Sequence, residues 1–413
     1  MSQSSSGPLS GTVVVDLTRA LSGPLGTHLL AGLGADVIKI EDPDGGDLSR
    51  DNSPYVGRDG VRLNREDESD HSLSVLNRNR GKRSVTLNLK ADGAGAVFAD
   101  LVRHADVVIE NFSTGTAERL GVGYAAARAA SEAIVYCSIS PYGSEEPEGQ
   151  RAMDTIIQAL SGVMMAGGAP GDPPMRVGFP LADAVVALYA VIGIEAALIR
   201  RRESGTGQHI DVSMLGALTA LVAIEDWQAM ERLGQPLRTG PTLPRLAPFG
   251  LFPCADGYVT IVAMQDRLAA AVFAAIGQPE LAGDPRFSTR DARVNNHVEV
   301  DALVEAWTTQ HTVAEVVDRL TERGVPVAAV RDPTESVADP RVVARGETLP
   351  VVHPDYGEIE GLRTIGVPIV FSEGEGPDLA PAPVLGQHND EIYGGLLGYG
   401  TDHLAELRRD GVI

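Results

Sequence analysis

Short runs of β-branched residues alternate with longer stretches in which apolar positions recur every three to four residues through the first half of the chain. Val13 to Leu17 reads as a strand, Pro24 to Leu33 as a helix and Asp36 to Glu41 as the next strand. After an irregular polar stretch from Asp42 to about Ser74 the alternation resumes. Val85 to Leu89, Asp106 to Ile109 and Ile134 to Ile139 are strand-like, and Ala94 to His104 is helical. Strands separated by helices predict a parallel sheet covered by helices, an α/β fold. Further on, Asp154 to Met165 and Ala184 to Arg202 carry helical patterns on either side of the turn-rich Gly167 to Pro180. Gln208 to Val212 gives a short strand and Leu215 to Leu233 a long helix.

Gln235 to Pro248 is rich in Pro, Arg, Thr and Gly, which marks a linker. Beyond it, Tyr258 to Ala263 and Val325 to Val330 are strand-like, while Arg267 to Ile276, Val300 to Gln310 and Val313 to Arg323 are helical. The tail from about Pro340 is Pro- and Gly-rich with few long periodic segments, so it is expected to wrap onto another domain. The expected organisation is a large domain begun by residues 1–234, a linker and small α+β domain over 235–335, and a C-terminal segment, 336–413, returning to the large domain.

With 413 residues and 43% hydrophobic content the chain can bury a sizeable core. Its formal net charge of -22 opposes binding to nucleic acid or to anionic membranes. The Ser-rich Met1 to Gly7 lacks a charged segment followed by an apolar one, which predicts a cytoplasmic protein. The longest apolar stretch, Ala184 to Ile199, contains Glu195 and is shorter than the roughly 20 residues a membrane span needs, so it reads as a buried helix. Cys137 and Cys254 lie in no CxxC or Cys/His cluster, and the nine histidines are scattered. A metal site, a Ser nucleophile elbow and an EF-hand therefore have no support in the sequence.

Three segments carry candidate chemistry. Ser22-Gly23-Pro24-Leu25-Gly26 sits where a strand turns into a helix and could cradle a phosphate, although GxGxxG is absent; a tight structural turn is the plain alternative. Asn77 to Ser84 gathers four cations, Arg78, Arg80, Lys82 and Arg83, around Gly81, a local reversal of sign that suits a small anionic ligand or, equally, a solvated loop. Gly178-Phe179-Pro180-Leu181-Ala182-Asp183 enters the apolar helix, where Asp183 reads either as a simple N-cap or as a carboxylate kept ionised by the helix N-terminus.

Several segments in chain order resemble the family III CoA-transferases, the CaiB/BaiF group. They are Val15-Asp16-Leu17-Thr18 with Gly23-Pro24, Gly34 to Glu41, Asn79 to Ser84, Glu110-Asn111-Phe112, Gln158 to Gly162, Pro173 to Gly178, Ala182-Asp183, Gly205 to Gln208 and Leu385 to Asn389. The resemblance implies a Rossmann-like large domain built from both chain ends, a smaller α+β domain and an interlocked homodimer. It places the catalytic aspartate at Asp183 and implies a CoA-transferase that moves CoA from an acyl-CoA thioester to a carboxylic acid through aspartyl anhydride and aspartyl-CoA thioester intermediates. The thioester is substrate, and neither a tightly bound cofactor nor a metal is implied. By position in the family pattern, CoA contacts fall at Leu21, Ser22, Leu87, Asn88, Leu89, Lys90, Asn111, Phe112, Ser113 and Arg119; Arg80, Lys82 and Arg83 are added on charge alone.

Departures narrow the reading. Racemases of the family carry a His before the residue matching Asp154, where this chain has Met153, so an acid/base pair for α-proton exchange lacks a member. A racemase or isomerase is the alternative activity, and a CoA-ester-binding subunit without turnover the alternative class. The glycine-rich loop of formyl-CoA transferases is missing from Gly234 to Tyr258, which disfavours oxalate and formate. Leu243 and Leu246 are candidate acyl-pocket residues, and the polar Arg58 to Asp70 has no assignment.

Overall fold

The computed structural model describes residues 7–144, 151–373 and 379–413, so most of the Ser-rich start lies outside it. The chain forms two compact units, one of residues Met1–Ser161, Val177–Leu221 and Val337–Ile413, the other of Gly162–Arg176 and Val222–Ser336. The expected boundary at Gln235 therefore falls inside the second unit, which also takes in the excursion 162–176.

The first unit is built on six parallel strands: β1 (Val13–Asp16), β2 (Asp36–Glu41), β6 (Lys82–Thr86), β7 (Val107–Glu110), β8 (Val135–Ser140) and β9 (His209–Ser213). Between β2 and β6 lie β3 (Tyr55–Gly57), β4 (Gly60–Arg62) and β5 (His71–Ser72), a small antiparallel sheet of their own. This sheet organises the stretch expected to be irregular. The loop after β4 is held by buried Asp70, which accepts the N–H groups of Glu66 and Asp67 at 2.9 and 3.1 Å.

The large sheet is ordered β6-β2-β1-β7-β8-β9. The chain thus winds outward in one direction from β1, returns, and winds outward in the other from β7. That reversal leaves a crevice beyond the carboxyl ends of β1 and β7, the place where doubly wound sheets bind ligands. Its helices are α1 (Ser22–Gly32), α2 (Leu73–Arg78), α3 (Ala94–Arg103), α4 (Thr116–Arg119), α5 (Tyr124–Ala130), α6 (Asp154–Leu160) and α8 (Leu181–Ser204). The short α7 (Val163–Ala166) belongs to the second unit, so Asp154 to Met165 is two helices rather than one. Central strands read as continuous apolar runs because both faces are covered: Val14, Val15, Val37, Val107, Val108 and Ile109 are fully buried.

The C-terminal segment returns to this sheet and closes its β6 edge with side chains. Asn389 accepts from Thr86 N at 2.8 Å and donates to Thr86 Oγ1 at 2.8 Å, and His388 N donates to Ser84 O at 2.9 Å. Tyr393 donates its hydroxyl to Thr86 O at 2.7 Å. These bonds give the Leu385 to Asn389 signature its structural work, since an open strand edge is thereby satisfied. The tail is more regular than its composition predicts, with a hairpin at Thr348–His353 and Gly357–Ile365 and a helix at Thr401–Arg409.

Helix α8 is longer than the apolar stretch that announced it, and it is not wholly buried. Val186, Ala190 and Ile194 are inside, whereas Leu188, Ile192 and Ile199 stand 52%, 61% and 62% exposed. The helix is long and apolar enough to cross a membrane, yet half of its most apolar window is packed inside. Gly205 ends it with φ 71°, and Gly207 then passes so close to β8 that a Cβ would lie 1.8 Å from Ile134 O. That approach accounts for the Gly-x-Gly of this segment.

The second unit carries an antiparallel sheet of Phe249–Pro253, Tyr258–Val262 and Val327–Ala329 with helices Asp266–Ala275, His297–Thr308 and Val313–Thr321. Leu215 to Leu233 is not one helix: it breaks into Met214–Val222 and Trp227–Arg232. Leu243 and Leu246 lie in the loop leading into this sheet, where Leu246 N donates to Leu243 O at 2.8 Å.

Candidate active site

The turn from β1 into α1 is fixed from four sides. Asp16, fully buried, accepts from Thr18 N, Thr27 Oγ1 and Lys82 Nζ at 2.9, 2.6 and 3.1 Å. Lys39, also buried, donates to Thr18 O at 2.8 Å and pairs with Asp47 at 2.8 Å. Asp47 in turn accepts from Ala20 N at 3.0 Å, and Ala20 sits at φ 64°, a left-handed conformation that a non-glycine residue keeps only under such restraint. From β7, Asn111 brackets the same turn: its Oδ1 accepts from Arg19 N at 2.8 Å and its Nδ2 donates to Arg19 O at 2.8 Å and Ser22 Oγ at 3.2 Å. Gly23 is required here, since a Cβ would lie 2.2 Å from Thr18 Cβ.

These partners explain why separate sequence segments travel together. Residues from Val15 to Thr18, Lys39, Lys82 and Asn111 assemble one rigid turn at the switch point. Burial drives Lys82 down to about 8 in spite of the Asp16 charge, while burial of Asp16 is outweighed by Lys39 and Lys82, which hold its carboxyl below the usual range.

Asp183 meets this turn from α8. It is the third residue of the helix and does not cap it, which corrects the N-cap reading: Pro180 occupies the N-cap position. Asp154 takes the capping role from a distance. Its Oδ1 accepts from Ala182 N at 2.8 Å and from Asp183 N at 3.4 Å. Gln158, one turn further along α6, donates to Asp154 Oδ2 at 2.7 Å and accepts from Val177 N at 2.9 Å, so the approach to α8 is also tied down. The first amides of α8 are therefore occupied within the protein. The Ser22 hydroxyl and the charge of Arg78 both act on the Asp183 carboxyl in favour of its ionised form. Burial, then the like charge of Asp154, push it up to about 6, against the pull of Arg78 and Ser22. At neutral pH it is mostly ionised and more basic than an exposed aspartate, a state suited to nucleophilic attack. Met153, 76% exposed, brings no proton-transfer group to this place.

The remaining expected residues divide. Leu21, Ser22, Asn111 and Phe112 lie at the switch point, with the Arg19 guanidinium 5.2 Å from the Phe112 ring centre. Ser113 and Arg119 are exposed nearby on the β7 side, Arg119 donating to Thr116 Oγ1 at 2.9 Å. Leu87 is buried and Asn88 is spent on Val412 and Gly411, its N donating at 2.8 Å and its Nδ2 at 3.2 Å; Leu89 packs on the core, leaving Lys90 with a solvent-exposed side chain. The cations chosen on charge all have partners within the protein. Lys82 is buried among Asp16, Pro24 O, Thr27 and Asn79; Arg80 is buried and donates to Pro350 O at 3.3 Å; Arg83 pairs with Asp36 and Glu391. Of this run, Lys82 makes a buried ion pair, Arg83 partly exposed ones and Arg80 a bond to a backbone carbonyl.

Arg78, in the same run, was missed as a site residue, because nothing in the sequence says which of four cations reaches Asp183. A cleft of about 290 Å³ also opens beside Phe112 and Ser113, between Glu110, Glu118 and Asp211. Burial pushes Glu110 up to about 7, but so acidic a lining is no seat for a diphosphate. Two histidines expected to be isolated come together, His71 and His353, with ring centres 4.8 Å apart and Asp355 beside them. Both ring nitrogens of His353 are already engaged, by Ser69 O at 3.0 Å and Asp355 N at 3.1 Å.

A doubly wound sheet with no dinucleotide loop, with the Asp183 carboxyl brought to the turn at its switch point, is an α/β architecture that offers a carboxylate where such sheets bind ligands. The model of CoA-transferase family III matches residues 9–389, and the chain belongs to that family. It is 36% identical to the succinyl-CoA–D-citramalate CoA-transferase of Chloroflexus aurantiacus over 98% of both chains. It is 40% identical to the acetyl-CoA:oxalate CoA-transferase of Acetobacter aceti over 82% of this chain and 85% of that one. Among solved structures, a CaiB/BaiF family protein from Brucella suis superposes with a TM-score of 0.78 at 34% identity, covering 94% of this chain and 99% of the other.

Proposed function

We propose that the chain moves CoA from an acyl-CoA thioester to an acceptor carboxylic acid through covalent intermediates on Asp183, working in the cytoplasm. An Asp183 oxygen attacks the thioester carbonyl, the C–S bond breaks and CoA leaves as thiolate, giving a mixed anhydride. The thiolate attacks Cγ of Asp183, releasing the donor acid as its carboxylate and leaving an aspartyl-CoA thioester. The acceptor carboxylate then attacks Cγ, thiolate leaves again, and its attack on the acceptor carbonyl forms the new thioester and returns Asp183 to its ionised form.

The observation that carries this reading is the placing of Asp183: a carboxyl raised to about 6, relieved of helix capping by Asp154, on the crevice side of the sheet. The names of the relatives make succinyl-CoA and acetyl-CoA the first donors to offer. The test is intact-protein mass spectrometry after incubation with each thioester, with hydroxylamine to trap activated carboxyls. A CoA adduct or hydroxamate at Asp183, absent in Asp183→Ala, is expected; CoA binding without any label at Asp183 would sink the covalent route. The exposed Leu188, Ile192 and Ile199 of α8 further support a homodimer in which a second copy covers this strip. Light scattering that gave a monomer would remove that part of the reading.

A further inference from the structure

Turnover by the proposed route requires two carboxylates to occupy one place in succession, Asp183 as nucleophile and the acceptor as attacker. One cation, Arg78, is held at the turn that Asp183 meets, and the charges of the two act on each other. Arg78 closes α2, whose buried Val75 and Leu76 anchor it in a core with Val56, Val351 and Ala382. Its Nη1 donates to Ala20 O at 3.0 Å, so it is docked on the left-handed residue of the turn that also carries Ser22. Its other N–H groups bond to no described residue, and Asp183 and Asp47 are the anions it faces.

From this arrangement we infer that Arg78 is the docking cation for the reacting carboxylate of the acceptor acid, and that it becomes available when Asp183 is esterified. The inference rests on the covalent reading of Asp183. In the resting enzyme the Asp183 charge answers that of Arg78. In the aspartyl-CoA thioester Asp183 is neutral, and the half-buried guanidinium, whose remaining donors bond to no described residue, loses one of the two anions it faces. An incoming carboxylate restores the lost charge balance and is held by a fork of N–H groups suited to it. When the acceptor carboxylate has attacked Cγ and the thiolate has left, the anhydride is neutral. Attack of the thiolate on the acceptor carbonyl then breaks the C–O bond to Asp183 and returns the negative charge to Arg78's first partner. The acceptor is thus recognised chiefly by the loaded enzyme, and the free acid does not compete with the donor for the resting one.

The experiment separates the half-reactions. Arg78→Gln is charged with donor thioester alone and the Asp183 adduct measured by mass spectrometry, then steady-state constants are taken for donor and acceptor, with Arg78→Lys as the conservative variant. Loss of a charged hydrogen-bonding partner predicts an acceptor KM raised about tenfold to a hundredfold, with the adduct still formed, the donor KM changed far less and partial recovery in Arg78→Lys. Parallel rises in both KM values, or an unchanged acceptor KM, would overturn the inference. A second measurement needs no variant: nitrate should inhibit wild type competitively against acceptor and uncompetitively against donor while the Asp183–CoA thioester accumulates. Nitrate competing with donor would likewise overturn it. Failure of wild-type Asp183 to label at all would instead remove the covalent route itself.

Discussion

Replacing Asp154 by Asn separates its two roles, because the amide oxygen can still cap α8 while the charge is gone. Asp154 Oδ1 lies 3.4 Å from Asp183 N, and two like charges a few ångströms apart repel by about 1 kcal/mol even in a water-like medium, which is about one pKa unit. Burial is the larger cause of the upward shift of Asp183 and remains, so its pKa should fall from about 6 by about one unit rather than return to that of an exposed aspartate. If Asp183 acts as the ionised nucleophile, activity is lost as pH falls through that value, and the acid limb of kcat/KM should move down by the same amount. The substitution carries a stability cost, since the new Nδ2 faces the Gln158 Nε2–H that now donates to Asp154 Oδ2 at 2.7 Å. Donor opposed to donor should lower the unfolding free energy by about 1–3 kcal/mol, read from urea titration. The assay is a pH profile of CoA transfer for wild type and Asp154→Asn at saturating acceptor. An acid limb that stays near pH 6 in the variant would refute the assignment of that limb to Asp183 under the influence of Asp154.

Lys82→Met should destabilise the fold by about 3–5 kcal/mol by leaving Asp16 buried without its neighbouring ammonium, and Lys82→Met with Asp16→Asn should lose less. CoA affinity of the folded variant is expected to match wild type by calorimetry; a selective loss of CoA affinity at full stability would return Lys82 to the ligand site. His28, buried beside Lys82, is pushed down to about 4 by burial and then by the lysine charge. Between about pH 6.5 and that value the unfolded chain binds the extra proton, so this residue's contribution is whole above pH 6.5 and is lost as pH falls toward 4. His28→Leu should therefore remove up to about 1.4 kcal/mol per pH unit of upward slope from the pH dependence of unfolding free energy within that window, exposing the opposite slope of Asp183, whose raised pKa favours the fold as pH falls through 6. An unchanged slope in urea unfolding at graded pH would refute the buried-neutral state of His28.

The alternation of strands and helices was legible because central parallel strands bury both faces and therefore appear as unbroken apolar runs. Val13 to Leu17 and Asp36 to Glu41 were placed almost to the residue for that reason. The region from Asp42 to Ser74 was not legible, since its three strands are two or three residues long and its loop is organised by one side chain, Asp70. The break after Val222 was hidden by continued apolar periodicity. Charge was the least informative guide: a lysine that neutralises a buried aspartate across the sheet, as Lys82 does, looks in sequence the same as one waiting for a phosphate. Arg78, which has donors to spare, differs from Lys82 only in what the fold sets beside it.

Asp183 shows where a motif read locally gives an incomplete account of a residue. An acidic side chain entering an apolar helix suggests an N-cap, and such a cap is worth about 0.5–2 kcal/mol. A capping aspartate that also served as nucleophile would surrender that interaction when its charge was removed by acylation, so the helix end would loosen in every turnover. The cap instead comes from Asp154, twenty-nine positions earlier in the chain, at 2.8 Å from Ala182 N. Asp183 can then pass from carboxylate to anhydride to thioester while the amides that fix its backbone stay bonded. On the proposed covalent route, separating the group that holds the helix from the group that reacts would keep the reacting carbon in one position through the covalent states, and positional constancy of that kind is what catalysis by a bound nucleophile requires.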